Sequence, residues 1–131
     1  MTPKKRILIV DDDLDLLAAI KIILESQGYT VETATGGKDG FKKCMQWKPN
    51  LVILDVMMEH TDEGFRLASV LRDQESTQKL PILMVTAVTQ KSWVVPDYPT
   101  AAGSWIPVDG FLEKPVPREV LLKRVKELLG V

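Results

Sequence analysis

Short apolar runs that stop on a polar side chain set the rhythm of this chain. Ile7-Leu8-Ile9-Val10 runs into Asp11-Asp12-Asp13, and Leu51-Val52-Ile53-Leu54 into Asp55. Pro81-Ile82-Leu83-Met84-Val85 ends on Thr86, and Gly110-Phe111-Leu112 on Glu113-Lys114-Pro115. Runs this short and this continuously apolar predict strands buried on both faces, the pattern of a parallel sheet covered by helices. The β-branched, alternating Thr30-Val31-Glu32-Thr33-Ala34 predicts a further strand. Between the strands the spacing turns helical. Leu16, Leu17, Ile20, Ile23 and Leu24 mark one helix, with Asp13 placed to cap it and Gln27-Gly28 to end it. Phe41, Cys44 and Met45 mark the inner face of a second helix, closed before Pro49. Gly64 to Asp73 predicts a third, with Leu67, Ala68 and Leu71 inward. Leu121, Leu122, Val125, Leu128 and Leu129 form the stripe of a last one, with Pro117 at its first turn and Gly130 at its end. The order is βαβαβαβ, an irregular stretch, then βα. That alternation predicts an α/β fold: a doubly wound, five-stranded parallel sheet with right-handed crossovers.

Composition narrows this picture without redirecting it. A length of 131 residues suits one domain over 1–131, with no output domain expected to follow. Apolar residues at 45% and charged ones at 27% describe an ordinary soluble globular chain, and a net charge of −1 offers no basic field for direct nucleic-acid contact. The single Cys44 excludes an internal disulfide, and no apolar run is long enough for membrane insertion or a signal sequence. A cytoplasmic protein is expected. The one irregularity is the Pro- and Trp-rich stretch 93–107, where Trp93 and Trp105 read most simply as a local cover for the sheet.

The polar strand ends carry the chemistry. In open α/β sheets ligands bind beyond the carboxyl ends of the strands, so Asp11, Asp12, Asp55, Thr86 and Lys114 should lie along one edge. In the strand order 2-1-3-4-5, strands one and three are neighbours, and Asp12 faces Asp55 across a crevice. At an effective dielectric near 20, each close pair of carboxylates repels by about 4 kcal/mol, so the site calls for cations. Lys114 supplies one positive charge. An all-oxygen, solvent-open pocket suits Mg²⁺, with Mn²⁺ as a substitute. Three carboxylates, one such ion and Lys114 sum formally to zero, a field suited to an incoming phosphoryl group. Asp55 is then the nucleophile, Lys114 neutralises charge on the phosphoryl oxygens, and the Thr86 hydroxyl donates a hydrogen bond to the product, an aspartyl phosphate.

These residues resemble the receiver domains of two-component response regulators. The matching stretches are Ile9-Val10-Asp11-Asp12-Asp13, Leu51 to Met58, Met84-Val85-Thr86-Ala87 and Gly110-Phe111-Leu112-Glu113-Lys114-Pro115, in the family's order. Each is commonplace alone; together they are specific. The strand order 2-1-3-4-5, the flavodoxin-like receiver arrangement, is also the family's, so it is not an independent inference. The resemblance implies Asp55 as phosphoacceptor and Mg²⁺ held by Asp12, Asp55 and the Met57 backbone carbonyl, with Asp11 acting mainly through water. It implies Lys114 on the phosphate, Thr86 and Phe111 as a switch pair, and a cis Lys114-Pro115 bond. It further implies a histidine kinase or histidine phosphotransfer protein as donor and an unidentified downstream protein as target. Such a protein is not a conventional enzyme; it promotes its own phosphorylation and dephosphorylation.

Two departures from the family pattern stand out. The loop Met58-Glu59-His60-Thr61-Asp62-Glu63-Gly64 is about one residue longer than usual. Thr86 to Lys114 is also longer, and Pro96, Pro99 and Pro107 predict a fourth helix that is short, displaced or irregular. His60, without partner ligands, reads as a solvated loop residue, and Cys44 as a small core residue. Two other functions compete: a non-phosphorylated adaptor of the same fold, and a haloacid-dehalogenase-like phosphatase. The phosphatase would carry an acid–base Asp where Met57 stands.

Overall fold

The computed structural model describes residues 4–55, 63–86 and 108–131, and for Thr86 the backbone only. The expectations for Met57, Met58, His60, Trp93, Trp105 and the fourth helix of the family pattern fall outside those residues.

Five parallel strands, β1 (Arg6–Val10), β2 (Thr30–Ala34), β3 (Leu51–Leu54), β4 (Ile82–Thr86) and β5 (Gly110–Glu113), form one sheet in the order β2-β1-β3-β4-β5. The described helices are α1 (Leu14–Glu25), α2 (Gly37–Trp47), α3 (Glu63–Arg72) and α4 (Arg118–Leu129). The sheet explains its own apolar runs. Successive strand side chains point to opposite faces, and both faces are covered. Leu8, Val10, Val52, Leu54, Ile82 and Met84 pack with Cys44 of α2 and with Phe65, Leu67, Ala68 and Leu71 of α3. Ile7, Ile9, Leu51, Ile53, Leu83 and Val85 pack with Leu17, Ile20 and Leu24 of α1 and with Leu121 and Val125 of α4. Each such side chain contributes about 1.5–3 kcal/mol by leaving water. Cys44 lies in the first of these cores, where burial pushes its thiol from 9.0 up to about 12.

Helix ends follow local chemistry. Asp13 caps α1 as expected, its Oδ1 accepting from the amides of Asp15 and Leu16 at 3.1 Å each. The helix stops at Glu25, before the expected Gln27-Gly28. Gly28, at φ +92°, then lets the chain fold back so that the Tyr29 amide donates to Leu24 O at 3.3 Å. Gly130 closes α4 in the left-handed conformation.

At the amino-terminal edge, Arg72 fastens three segments. Its guanidinium donates to Leu80 O (2.6 Å), Gln78 O (3.3 Å) and Thr77 O (3.4 Å), and to Asp109 Oδ2 (2.8 Å), which also accepts from the Ile82 amide (2.8 Å). This holds the starts of β4 and β5 to the end of α3. Arg72→Ala is expected to lower the unfolding free energy by about 2 kcal/mol. The loss should appear as a lower urea midpoint at unchanged slope; an unchanged midpoint would show the contacts to be dispensable.

Candidate functional site

The parallel register places the carboxyl ends of β1, β3, β4 and β5 on one edge. Asp11 follows β1 directly and Asp55 follows β3. Their backbones extend the ladder past the strands: the Asp11 amide donates to Ala34 O and the Asp55 amide to Val10 O, both at 3.0 Å. Each carboxylate is therefore held by main chain continuous with the sheet. Asp11 and Asp55 are buried, at 4% and 6% exposure, whereas Asp12 is exposed. One carboxylate oxygen from each of the three lies within 4.8 Å of the others.

Lys114 begins the turn after β5, yet its amine reaches across the end of β4 to the two inner strands. Nζ donates to Asp11 Oδ2 at 3.0 Å and to Asp55 Oδ2 at 3.3 Å. The Lys114-Pro115 bond is cis, as the resemblance implies. Burial alone would push the ammonium's pKa down. The hydrogen bonds that the ammonium donates to Asp11 and Asp55, with the charges of both carboxylates, outweigh it, and the net result lies above the ordinary 10.5.

A hard, all-oxygen donor set with one partly buried amine against three acids fits a small divalent cation such as Mg²⁺. The remaining expected site residues divide in two. Thr86 sits at the end of β4, paired in register with Glu113. Phe111, opposite Met84, is partly buried against the α2–α3 core, its ring centroid 6.5 Å from that of Phe65. The structure thus brings Asp11, Asp12, Asp55 and Lys114 together, with Thr86 on the neighbouring strand end and Phe111 on the adjoining face.

Two supporting contacts had no counterpart in the sequence reading. The Asp13 amide donates to Asp11 Oδ1 at 2.9 Å, so the residue that caps α1 also fixes the carboxylate bridged by Lys114. The Glu63 carboxylate accepts from the Gly37 amide, the first residue of α2, whose N-cap Gly36 offers no side chain. A negative group there is favoured by the helix dipole. A Cβ on Gly37 would stand 3.0 Å from Glu63 Oε2, so glycine makes the approach possible. The visible signal was a Gly-Gly pair opening a helix that lacks an ordinary cap.

Comparison with known proteins agrees with this fold. The family model for the response regulator receiver domain matches residues 7–126. The chain is 37% identical over 124 residues to the DNA-binding dual master transcriptional regulator RpaA of Synechocystis, covering 95% of this chain and 48% of that protein. It is 36% identical over 126 residues to the alkaline phosphatase synthesis transcriptional regulatory protein PhoP of Bacillus subtilis, with coverage of 95% and 48%. It thus spans about half the length of these curated relatives. Among solved structures, it resembles the chemotaxis response regulator CheY4 of Vibrio cholerae, with a TM-score of 0.80, 29% identity and coverage of 96% and 99%. A CheY-like receiver domain protein from Methanospirillum hungatei gives a TM-score of 0.77, 33% identity and coverage of 98% and 95%. The doubly wound sheet with an acidic carboxyl edge is a receiver fold. The chain belongs to the response regulator receiver family.

Proposed function

We propose that this chain accepts a phosphoryl group from a phosphohistidine donor onto Asp55 and signals by altered protein contacts. The observation that carries this reading is the Lys114 amine bridging Asp11 and Asp55 at the centre of three converging carboxylates. Asp11, Asp12 and Asp55, with the Met57 carbonyl, would hold Mg²⁺, which when bound supplies positive charge to the phosphoryl oxygens.

Asp55 is the nucleophile: its carboxylate oxygen forms the new O–P bond as the P–N bond to the donor imidazole breaks. The electron pair leaves with the imidazole nitrogen, which takes up a proton from solvent. Lys114 is partly buried and already aimed at this oxygen, so it meets the incoming charge with little reorganisation. The Thr86 hydroxyl is assigned the hydrogen bond to the bound phosphoryl group, and Phe111 the packing change that follows. The donor is a histidine kinase or histidine phosphotransfer protein. An apolar groove of about 580 Å³ opens beside Lys114 between α1 and the start of α4, lined by Leu16, Ile20, Ile23 and Val116 among others. That groove, with Lys114 in its lining, offers the donor an apolar surface beside the site.

Incubation with acetyl phosphate and Mg²⁺ should add about 80 Da to the intact mass, one phosphoryl group. EDTA should prevent the gain. No gain, together with no response to beryllofluoride, would instead support a non-phosphorylated adaptor.

A further inference from the structure

The charges of this chain are segregated. Residues Asp11 to Glu25 carry five acids against one lysine, a formal −4. Residues Gly37 to Lys48, α2 and its C-cap, carry four lysines against one aspartate, a formal +3. The nearly neutral total conceals an acidic site and a basic helix on the opposite face of the sheet from α1.

Beside that helix, α2 and α3 flank a shallow, open hollow of about 280 Å³. Its apolar lining comes from Phe41, Leu67 and Val70, with Val70 exposed at 42% and Phe41 only partly buried. The exposed cations Lys38 and Arg66 line it from opposite helices, and exposed Lys42 lies one turn along α2 from Lys38. Of the nearby acids, Asp39 lies 3.6 Å from Lys43, and Glu63, at the end of the hollow, turns one oxygen to the Gly37 amide while the other is buried without a partner among the described residues. Lys38 and Lys42 form no ion pair among the described residues.

We propose that the α2–α3 groove is a docking surface for an acidic amphipathic helix of a partner protein. Apolar residues at i, i+3, i+4 and i+7 would seat on Phe41, Leu67 and Val70, and flanking Glu or Asp would meet Lys38 and Lys42. Charge sets the sign of the partner, and the two helical walls set its form. A helix satisfies its own backbone, whereas an extended segment lying between helices finds no free ladder to join. The concave shape also favours a ridge of side chains over a flat anionic membrane. The groove lies on the far side of the sheet from the surface assigned to the phosphodonor, so both could be occupied together.

The test is an NMR titration of the ¹⁵N-labelled chain with a synthetic helical peptide bearing leucine on one face and glutamate elsewhere. A lysine-for-glutamate peptide and phosphatidylglycerol vesicles are the comparisons. The acidic peptide should bind with a Kd on the order of 10–100 µM, as suits a small interface. Its shifts should fall on amides of residues 37–46 and 63–70. Lys38→Glu/Lys42→Glu should weaken binding about tenfold or more, leaving the acetyl phosphate reaction unchanged. Absence of binding, equal binding of the lysine peptide, or unaltered affinity in the double variant would overturn the proposal. So would shifts on the α1–α4 face, vesicle binding without peptide binding, or shifts explained by self-association alone.

Discussion

Asp55→Asn is expected to lose the phosphoryl adduct completely and to become more stable than the parent protein when Mg²⁺ is absent. The first outcome follows from removing the nucleophilic oxygen. The second follows from the balance of charges. Carboxylate oxygens of Asp11, Asp12 and Asp55 lie within 4.8 Å of one another, with one amine between two of them. At an effective dielectric near 20, two charges at such a distance repel by about 3 kcal/mol, less where water screens Asp12. Neutralising Asp55 removes two repulsions and one attraction, and Lys114 keeps its 3.0 Å partner Asp11. A gain of about 1 kcal/mol is expected, seen as a higher melting temperature in EDTA. Millimolar Mg²⁺ should reverse the order, because the parent gains the larger binding free energy. An adduct on the variant, or equal Mg²⁺-induced shifts in both proteins, would contradict the assignment of Asp55.

The contrast between what the sequence discloses and what it hides lies in range. Ile7 to Val10 and Leu51 to Leu54 are legible because burial on both faces writes a continuous apolar run into four or five adjacent residues. The Asp13 cap is legible because its partners are two and three residues away. Lys114 is different. Glu113-Lys114-Pro115 alone carries no chemical signal; its place at a strand end puts Lys114 on the same edge as Asp11, a residue 103 positions earlier, but says nothing of the contact between them. The Glu63–Gly37 contact depends on two helices sharing one face of the sheet, and the Arg72–Asp109 pair joins residues 37 apart. The first leaves only the uncapped Gly36-Gly37 helix start as a local trace, and the second leaves none. Thr77, in the polar stretch Asp73-Gln74-Glu75-Ser76-Thr77, carries no local signal of burial. Its side chain is nevertheless buried at 4% exposure, with its hydroxyl donating to Leu71 O. A hydroxyl can enter the core where a carbonyl in a helix's last turn takes a second donor, as Leu71 O does beside the Gln74 amide at 3.2 Å, and no periodicity records that.

Lys114→Ala should act in the opposite sense to Asp55→Asn and should reveal itself through alkaline pH. Removing the amine leaves Asp11 and Asp55, both buried, without their shared cation. Breaking a buried pair from one side costs several kcal/mol; with the lysine side chain still 19% exposed, about 2 kcal/mol is expected near neutral pH. The folded-state pKa of Lys114 is raised above 10.5, so its contribution is complete below that ordinary value. Above it the unfolded chain releases the proton first, and the contribution falls as pH climbs through the raised folded value. The stability gap between parent and Lys114→Ala should therefore be flat from about pH 7 to about pH 10 and narrow beyond. Urea denaturation of both proteins across that range measures it directly. Mg²⁺ should also narrow the gap at neutral pH by restoring positive charge, whereas phosphoryl capture from acetyl phosphate should remain at least about 100-fold slower. A gap unchanged in strong alkali would mean that Lys114 stabilises the fold through packing, and that its ammonium is not what holds Asp11 and Asp55 together.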